Sequence, residues 1–186
     1  MSFFIHERGY WDSGKNNSHI YDHTLCSAIH SFVLGNSIHS ILDLGCGTAE
    51  YAAYFISNGI DCDAYDGNPN TPQLSKGLGK VLDLSIFFDL NKLYDCVISL
   101  EVGEHIPEKY ESIFIDNVCK HALKNIILSW AIPGQIGDGH VNCRTNEYII
   151  DKVQQRGFVY DANSSNYLRL NSTAPWFRNT CMVFTK

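Results

Sequence analysis

The chain of 186 residues has no run approaching the about 18 continuous apolar residues that a membrane-spanning helix needs. It also lacks any C-x-x-C pair: Cys26, Cys46, Cys62, Cys96, Cys119, Cys143 and Cys181 are scattered and odd in number. That pattern excludes a disulfide framework and a thiolate zinc site and fits a reducing compartment. Proline is scarce, and no Ser/Gly/Pro tract or internal repeat breaks the chain, so no linker is expected. Positive charge is short as well. Lys+Arg 14 against Asp+Glu 20 leaves a formal charge of -6, which argues against a nucleic-acid partner held through its phosphates. The N-terminal segment reaches Glu7 and Arg8 before any apolar run of signal-peptide length, so the expected location is cytoplasmic.

What the chain does have is enough apolar residue, 45%, to fill one core. From His19 to Leu34 the apolar positions recur at helical spacing. Ser40 to Leu44 is a short apolar run closed by Gly45-Cys46-Gly47, which reads as a buried strand and a tight turn. A helix from about Ala49 to Asn58 should end at Gly59. Strand candidates then follow at Ile60–Tyr65, Lys80–Leu84, Tyr94–Leu100 and Asn125–Ala131, with a helix from Pro107 to His121 and another starting at Thr145. Phe158–Tyr160, Tyr167–Leu170 and Thr180–Phe184 read as strand-like pieces with no helix between them, a terminal antiparallel hairpin. The expected fold is α/β: a doubly wound, mostly parallel seven-stranded sheet. Residues 1–37 are expected to form a helical lid segment, and residues 38–186 the domain proper. Ligands of such sheets bind outside the carboxyl ends of the strands, so chemistry is sought just after each one.

The first such segment is Asp43-Leu44-Gly45-Cys46-Gly47-Thr48-Ala49-Glu50. Two glycines let the backbone turn sharply and approach a ligand at a helix N-terminus. A dinucleotide fingerprint needs a third glycine where Glu50 stands, and its carboxylate would repel a pyrophosphate. No G-K-[ST] follows, which excludes a phosphate-binding P-loop.

L-D-L-G-C-G-T resembles the first motif of class I S-adenosylmethionine-dependent methyltransferases. The resemblance implies that Asp43, Gly45, Cys46 and Gly47 accommodate the methionine part of the cofactor. It implies that Asp66, 19 positions after Gly47 and followed by Gly67, accepts the ribose hydroxyls. Asp83 and the Leu84 backbone would contact adenine, and Tyr94 to Glu101 matches the fourth strand. The likeness runs over residues 38–186, with one departure at Ala49, where the family often has a third glycine.

Glu101, Glu104 and His105 form E-x-x-E-H directly after the fourth strand. If residues 102–106 make a helical turn, these three share one face. Two carboxylates and an imidazole suit Mg²⁺ or Mn²⁺, and His140, in the loop after the fifth strand, could add a fourth ligand. The segment is similar to one in ubiquinone-pathway O-methyltransferases and, with the later histidine, to small-RNA 2′-O-methyltransferases. It also occurs in metal-free enzymes, where the histidine is a general base. His105 is the expected catalytic residue in either case, with Glu104 and His140 beside it. Trp11, in the N-terminal aromatic cluster, could face a cationic sulfonium or simply pack. His19 and His23, four apart, could share a helical face.

The expected activity is methyl transfer from S-adenosylmethionine to an oxygen of a small-molecule acceptor. A metal-dependent RNA ribose methyltransferase and a catalytically silent cofactor-binding subunit are the alternatives.

Overall fold

The structure, a computed structural model, describes residues 4–12 and 19–186. The chain begins with β1 (Phe4–Ile5), β2 (Trp11–Asp12), α1 (His23–Gly35), β3 (Ser40–Leu44), α2 (Glu50–Ser57), β4 (Asp61–Asp66), α3 (Thr71–Leu74) and β5 (Gly79–Val81). It continues with β6 (Tyr94–Ser99), a 3-10 turn at Gly103–His105, α4 (Glu108–His121), β7 (Ala122–Leu128), α5 (Asn146–Gln154), β8 (Val159–Asp161), α6 (Ala162–Leu170), α7 (Phe177–Thr180) and β9 (Met182–Thr185). None of the described helices is long and apolar enough to cross a membrane.

The main sheet has the order β5-β4-β3-β6-β7-β9-β8. The pairs among the first five strands are parallel, and β9 lies antiparallel to both β7 and β8. This is the expected doubly wound sheet. Period-two alternation divides each central strand between two apolar layers. Leu42, Val97, Ile126 and Phe184 pack toward α4 and α5, where Phe114 and Ile149 meet them. Ile41, Ile98, Ile127 and Val183 face the other way, against Leu25 and Ile29 of α1, Phe55 of α2 and Leu168 of α6. Strands buried on both faces have little use for polar residues, which is why they stood out as apolar runs. Polar groups are displaced to the strand ends, and there the site is built.

Several local expectations change. Residues 4–12 form a two-stranded hairpin rather than a helical lid, and α1 belongs to a layer of the main core. Residues 1–3 and 13–18 of the expected lid lie outside the described residues. Because α1 starts at His23, His19 and His23 do not share a helix. Tyr167–Leu170 is helical: Asp161 caps α6 by accepting from the Ser164 amide at 3.0 Å, so β8 and β9 pair without forming a tight hairpin. β5 ends at Val81, leaving Asp83 in the following loop, and β7 runs three residues earlier than its apolar run suggests.

The start of α1 is fixed by Asp22. One of its oxygens accepts from the Thr24 and Leu25 amides at 3.1 and 3.0 Å and from the Thr24 hydroxyl at 2.7 Å. The other accepts from the Thr173 and Ala174 amides at 2.7 and 2.8 Å, so one buried side chain clamps α1 to the chain before α7. Burial alone would raise its pKa; the hydrogen bonds from Ala174, Leu25, Thr24 and Thr173 outweigh that and hold it at about 2. Asp22→Ala is expected to cost about 2 kcal/mol of unfolding free energy at pH 7, measured by denaturant titration. A depressed folded pKa means the contribution is full above the ordinary value of 3.8 and fades as pH falls through about 2. The gap between wild type and variant should close over that window.

Candidate active site

A cavity of about 470 Å³ opens along the carboxyl edge of the parallel strands, and every site residue singled out from the sequence lines it. The loop after β3 enters it with Gly45 and Gly47 at φ +84° and +53°. A Cβ at Gly45 would overlap the Val102 methyls, and one at Gly47 the His19 ring, so neither position admits a side chain. Ala49 is also left-handed, at φ 58°, a conformation that costs an alanine about 1 kcal/mol and a glycine nothing. The loop is anchored to β4: Gly45 and Cys46 donate to the Tyr65 carbonyl at 2.7 and 3.0 Å. Asp66 then accepts from the Gly47 and Asn68 amides at 2.9 and 2.8 Å, one on each oxygen. Each oxygen keeps a further acceptor position. Asp43 lies beneath; burial, with Asp66 nearby, lifts its carboxyl to about 7. Asp83 accepts from the Ser85 amide and hydroxyl and pairs with Arg8 at 2.8 Å.

That ion pair fastens the N-terminal hairpin across the cavity. Gly9, at φ +96°, lies so close to the His105 carbonyl that no Cβ fits, and the Tyr10 side chain packs onto Gly67. The Trp11 ring meets the His105 ring edge-on, with centroids 5.3 Å apart, and lies 5.4 Å from the His19 ring. One short strap thus touches the segments after β4, β5 and β6.

The acid–histidine cluster follows β6. Glu104 is completely buried, and its carboxylate makes no well-formed hydrogen bond among the described residues, although the Glu104 and Ala131 amides and the Glu101 side chain adjoin it. His140 Nε2 stands 3.8 Å from Glu104 Oε1, and the His105 and His140 rings are 5.1 Å apart at 72°. Ligand atoms of Glu104, His105 and His140 all lie within 4.8 Å of one another. His105 Nδ1 is 3.2 Å from the Gly139 carbonyl, and His140 Nδ1 is 3.1 Å from that of Gln135. A carbonyl accepts only from N–H, so each Nδ1 carries a proton. Burial, reinforced by His140, lowers the His105 pKa to about 4, and its imidazole is neutral at pH 7. Burial and the neighbouring Glu101 push Glu104 well up. These three side chains could hold a divalent cation.

Glu101 departs from the expected helical face. Its backbone is left-handed, φ 54°, and the turn that follows is 3-10 rather than α. The residue is fixed instead by three segments: its amide donates to Ser129 Oγ at 2.8 Å, while Gln135 and Thr180 donate to its carboxylate at 2.5 and 3.2 Å. It adjoins the cluster through Glu104 without being one of the three groups above. Arg8 and Gln135 also line the cavity, and no sequence motif marks them.

A methyltransferase-domain family model matches residues 18–127. The chain belongs to the methyltransferase-domain family. It is a class I S-adenosylmethionine-dependent methyltransferase. Among curated protein sequences no match to this methyltransferase is found. Solved structures share its fold. Magnesium protoporphyrin IX methyltransferase from Synechocystis, with bound S-adenosylhomocysteine, gives a TM-score of 0.65 at 16% identity, covering 87% of this chain and 81% of that one. The sugar N-methyltransferase KedS8 from Streptoalloteichus gives 0.70 at 14%, covering 88% and 87%. The methyltransferase domain of a bacterial Hen1 gives 0.61 at 12%, covering 88% and 98%.

The close seat of Gly9 makes the methyltransferase's strap sensitive to one methyl group. Gly9→Ala should lift the hairpin while the core stays folded, speeding tryptic cleavage after Arg8 by about tenfold. Unchanged cleavage would show that the contact does not hold the strap down.

Proposed function

We propose that the enzyme methylates an oxygen of a small-molecule acceptor, with Glu104, His105 and His140 holding a divalent cation beside the cofactor cavity. The observation that carries this reading is the set of converging side chains. A buried carboxylate and one ring nitrogen from each of two imidazoles lie within 4.8 Å of one another. A buried carboxylate is stabilised by a positive group held among it and the neighbouring ligand atoms. Carboxylate and imidazole donors without thiolate suit Mg²⁺ or Mn²⁺. Such an ion supplies Lewis acidity, lowering the pKa of a substrate hydroxyl.

The chain's own residues do the positioning. The Gly45–Gly47 turn, which lines the cavity, accommodates the methionine portion of S-adenosylmethionine. Asp66, held by two amides, offers its remaining lone pairs to the ribose hydroxyls. Asp83 and Leu84 border the adenine. Trp11, packed against His105, presents an aromatic face toward the sulfonium. Methyl transfer is an in-line displacement, so holding the nucleophile, methyl carbon and sulfur in a line supplies much of the rate. The hairpin and the 132–144 loop border the cavity, and the His105 imidazole is neutral, the form required of a ligand or of a base. A net charge of -6 favours a small acceptor over a polyanion, as do the sugar and porphyrin named for two fold neighbours.

Separate variants test the two halves of the site. Glu104→Gln and His105→Ala are expected to lower transfer of a labelled methyl group by about 100-fold or more, with S-adenosylmethionine affinity within about threefold of wild type by calorimetry. Asp66→Ala should instead weaken cofactor binding about tenfold or more. Full turnover in His105→Ala or Glu104→Gln would contradict the proposal.

A further inference from the structure

His140 reaches the cluster on a long loop, and something must hold that loop to the turn carrying Glu104. The Val141 and Asn142 amides both donate to the Glu104 carbonyl, each at 2.9 Å. The Asn142 carbonyl accepts from Trp130 Nε1 at 2.6 Å. The Asn142 side chain then donates to Glu111 Oε2 at 2.9 Å, and the same oxygen accepts from Arg144 Nε at 2.7 Å. The other Glu111 oxygen accepts from the Tyr148 hydroxyl at 2.6 Å. Arg144 also reaches Glu108, one turn earlier on α4, at 2.7 Å.

Glu111 is nearly buried, and its three partners come from the loop and the start of α5. A structural carboxylate could be satisfied by one surface cation. This one instead gathers residues 142, 144 and 148 onto α4, the helix that follows the turn ending at His105. Burial would raise its pKa, but the bonds from Tyr148, Arg144 and Asn142 keep it below the usual carboxylate value and therefore charged.

We infer that Glu111 is a positioning residue for the cation site: through Asn142 and Arg144 it sets the separation between Glu104 and His140. The inference rests on the metal-binding reading above. Glu111 neither lines the cofactor cavity nor belongs to the converging donors, so its effect passes through the groups it holds. A ligand displaced by a fraction of an ångström costs affinity because a divalent cation tolerates little error in its donor distances. Glutamine at this position can keep the bonds. Its oxygen can accept from Asn142 and Arg144, and its amide can donate to the Tyr148 oxygen.

The test is calorimetric titration of the full chain with Mn²⁺ alone and, separately, with S-adenosylmethionine. Glu111→Ala is expected to weaken Mn²⁺ binding by about tenfold or more while cofactor affinity stays within about threefold. Glu111→Gln should return Mn²⁺ affinity to within about threefold of wild type. Asn142→Ala removes only the side-chain link and serves if Glu111→Ala does not fold; it should weaken Mn²⁺ by about threefold or more. Wild-type Mn²⁺ affinity in the variants that fold would overturn the positioning role alone. A parallel loss of Mn²⁺ and cofactor binding would also overturn it, showing a general structural defect. Wild-type protein that binds no Mn²⁺ would overturn both this inference and the reading beneath it.

Discussion

A buried carboxylate with no well-formed hydrogen bond is among the costlier groups a protein interior can hold. Glu104 is in that position at the end of the central strand β6. Much of the neighbouring architecture converges on it. The loop after β7 brings His140 to within 3.8 Å and staples its own amides to the Glu104 backbone. The N-terminal hairpin presses Gly9 and Trp11 onto His105. Thr180 of α7 and Gln135 hold Glu101 alongside. Segments from both ends of the chain thus meet around one buried acid, an arrangement that core packing alone would not require.

The parallel topology makes the convergence possible. Strands β3, β4, β5, β6 and β7 all point their carboxyl ends the same way, so the glycine turn, Asp66, Asp83, the Glu104 turn and the His140 loop share one edge. The hairpin spans that edge from Asp83 to His105 and so borders both the cofactor cavity and the acid–histidine cluster. The strap and the 140–144 loop differ in how they are secured. Arg8 holds the strap through a half-exposed ion pair, whereas Glu111 holds the loop through a nearly buried network.

The sheet was legible because doubly covered strands are apolar on both faces and end in glycine or acid. Ser40–Leu44 and Tyr94–Ser99 therefore appear close to their true limits. Asp43, Asp66, Asp83, Glu104 and His105 were legible for the same reason, as strand-end polar residues in motif order. What failed was geometry that depends on tertiary context. E-x-x-E-H reads as a helical face, but Glu101 takes up a left-handed conformation supported by Ser129, which no local pattern announces. The Tyr167–Leu170 segment looks strand-like until the Asp161 cap is recognised. The hairpin is two residues per strand and carries no periodicity, so a helical lid is expected where a hairpin lies. Arg8, Gln135 and Glu111 act through partners 75, 34 and 31–37 positions away, a range at which a single sequence is silent.

The central question for this enzyme is whether the Glu104–His105–His140 cluster works through a cation. The direct measurement is transfer of a labelled methyl group from S-adenosylmethionine to a panel of hydroxyl acceptors, before and after exhaustive chelation, with Mg²⁺ or Mn²⁺ added back. The expected result is a loss of about 100-fold or more on chelation, restored by either ion. Turnover that survives chelation unchanged would contradict the cation's role and leave His105 acting as an unassisted base.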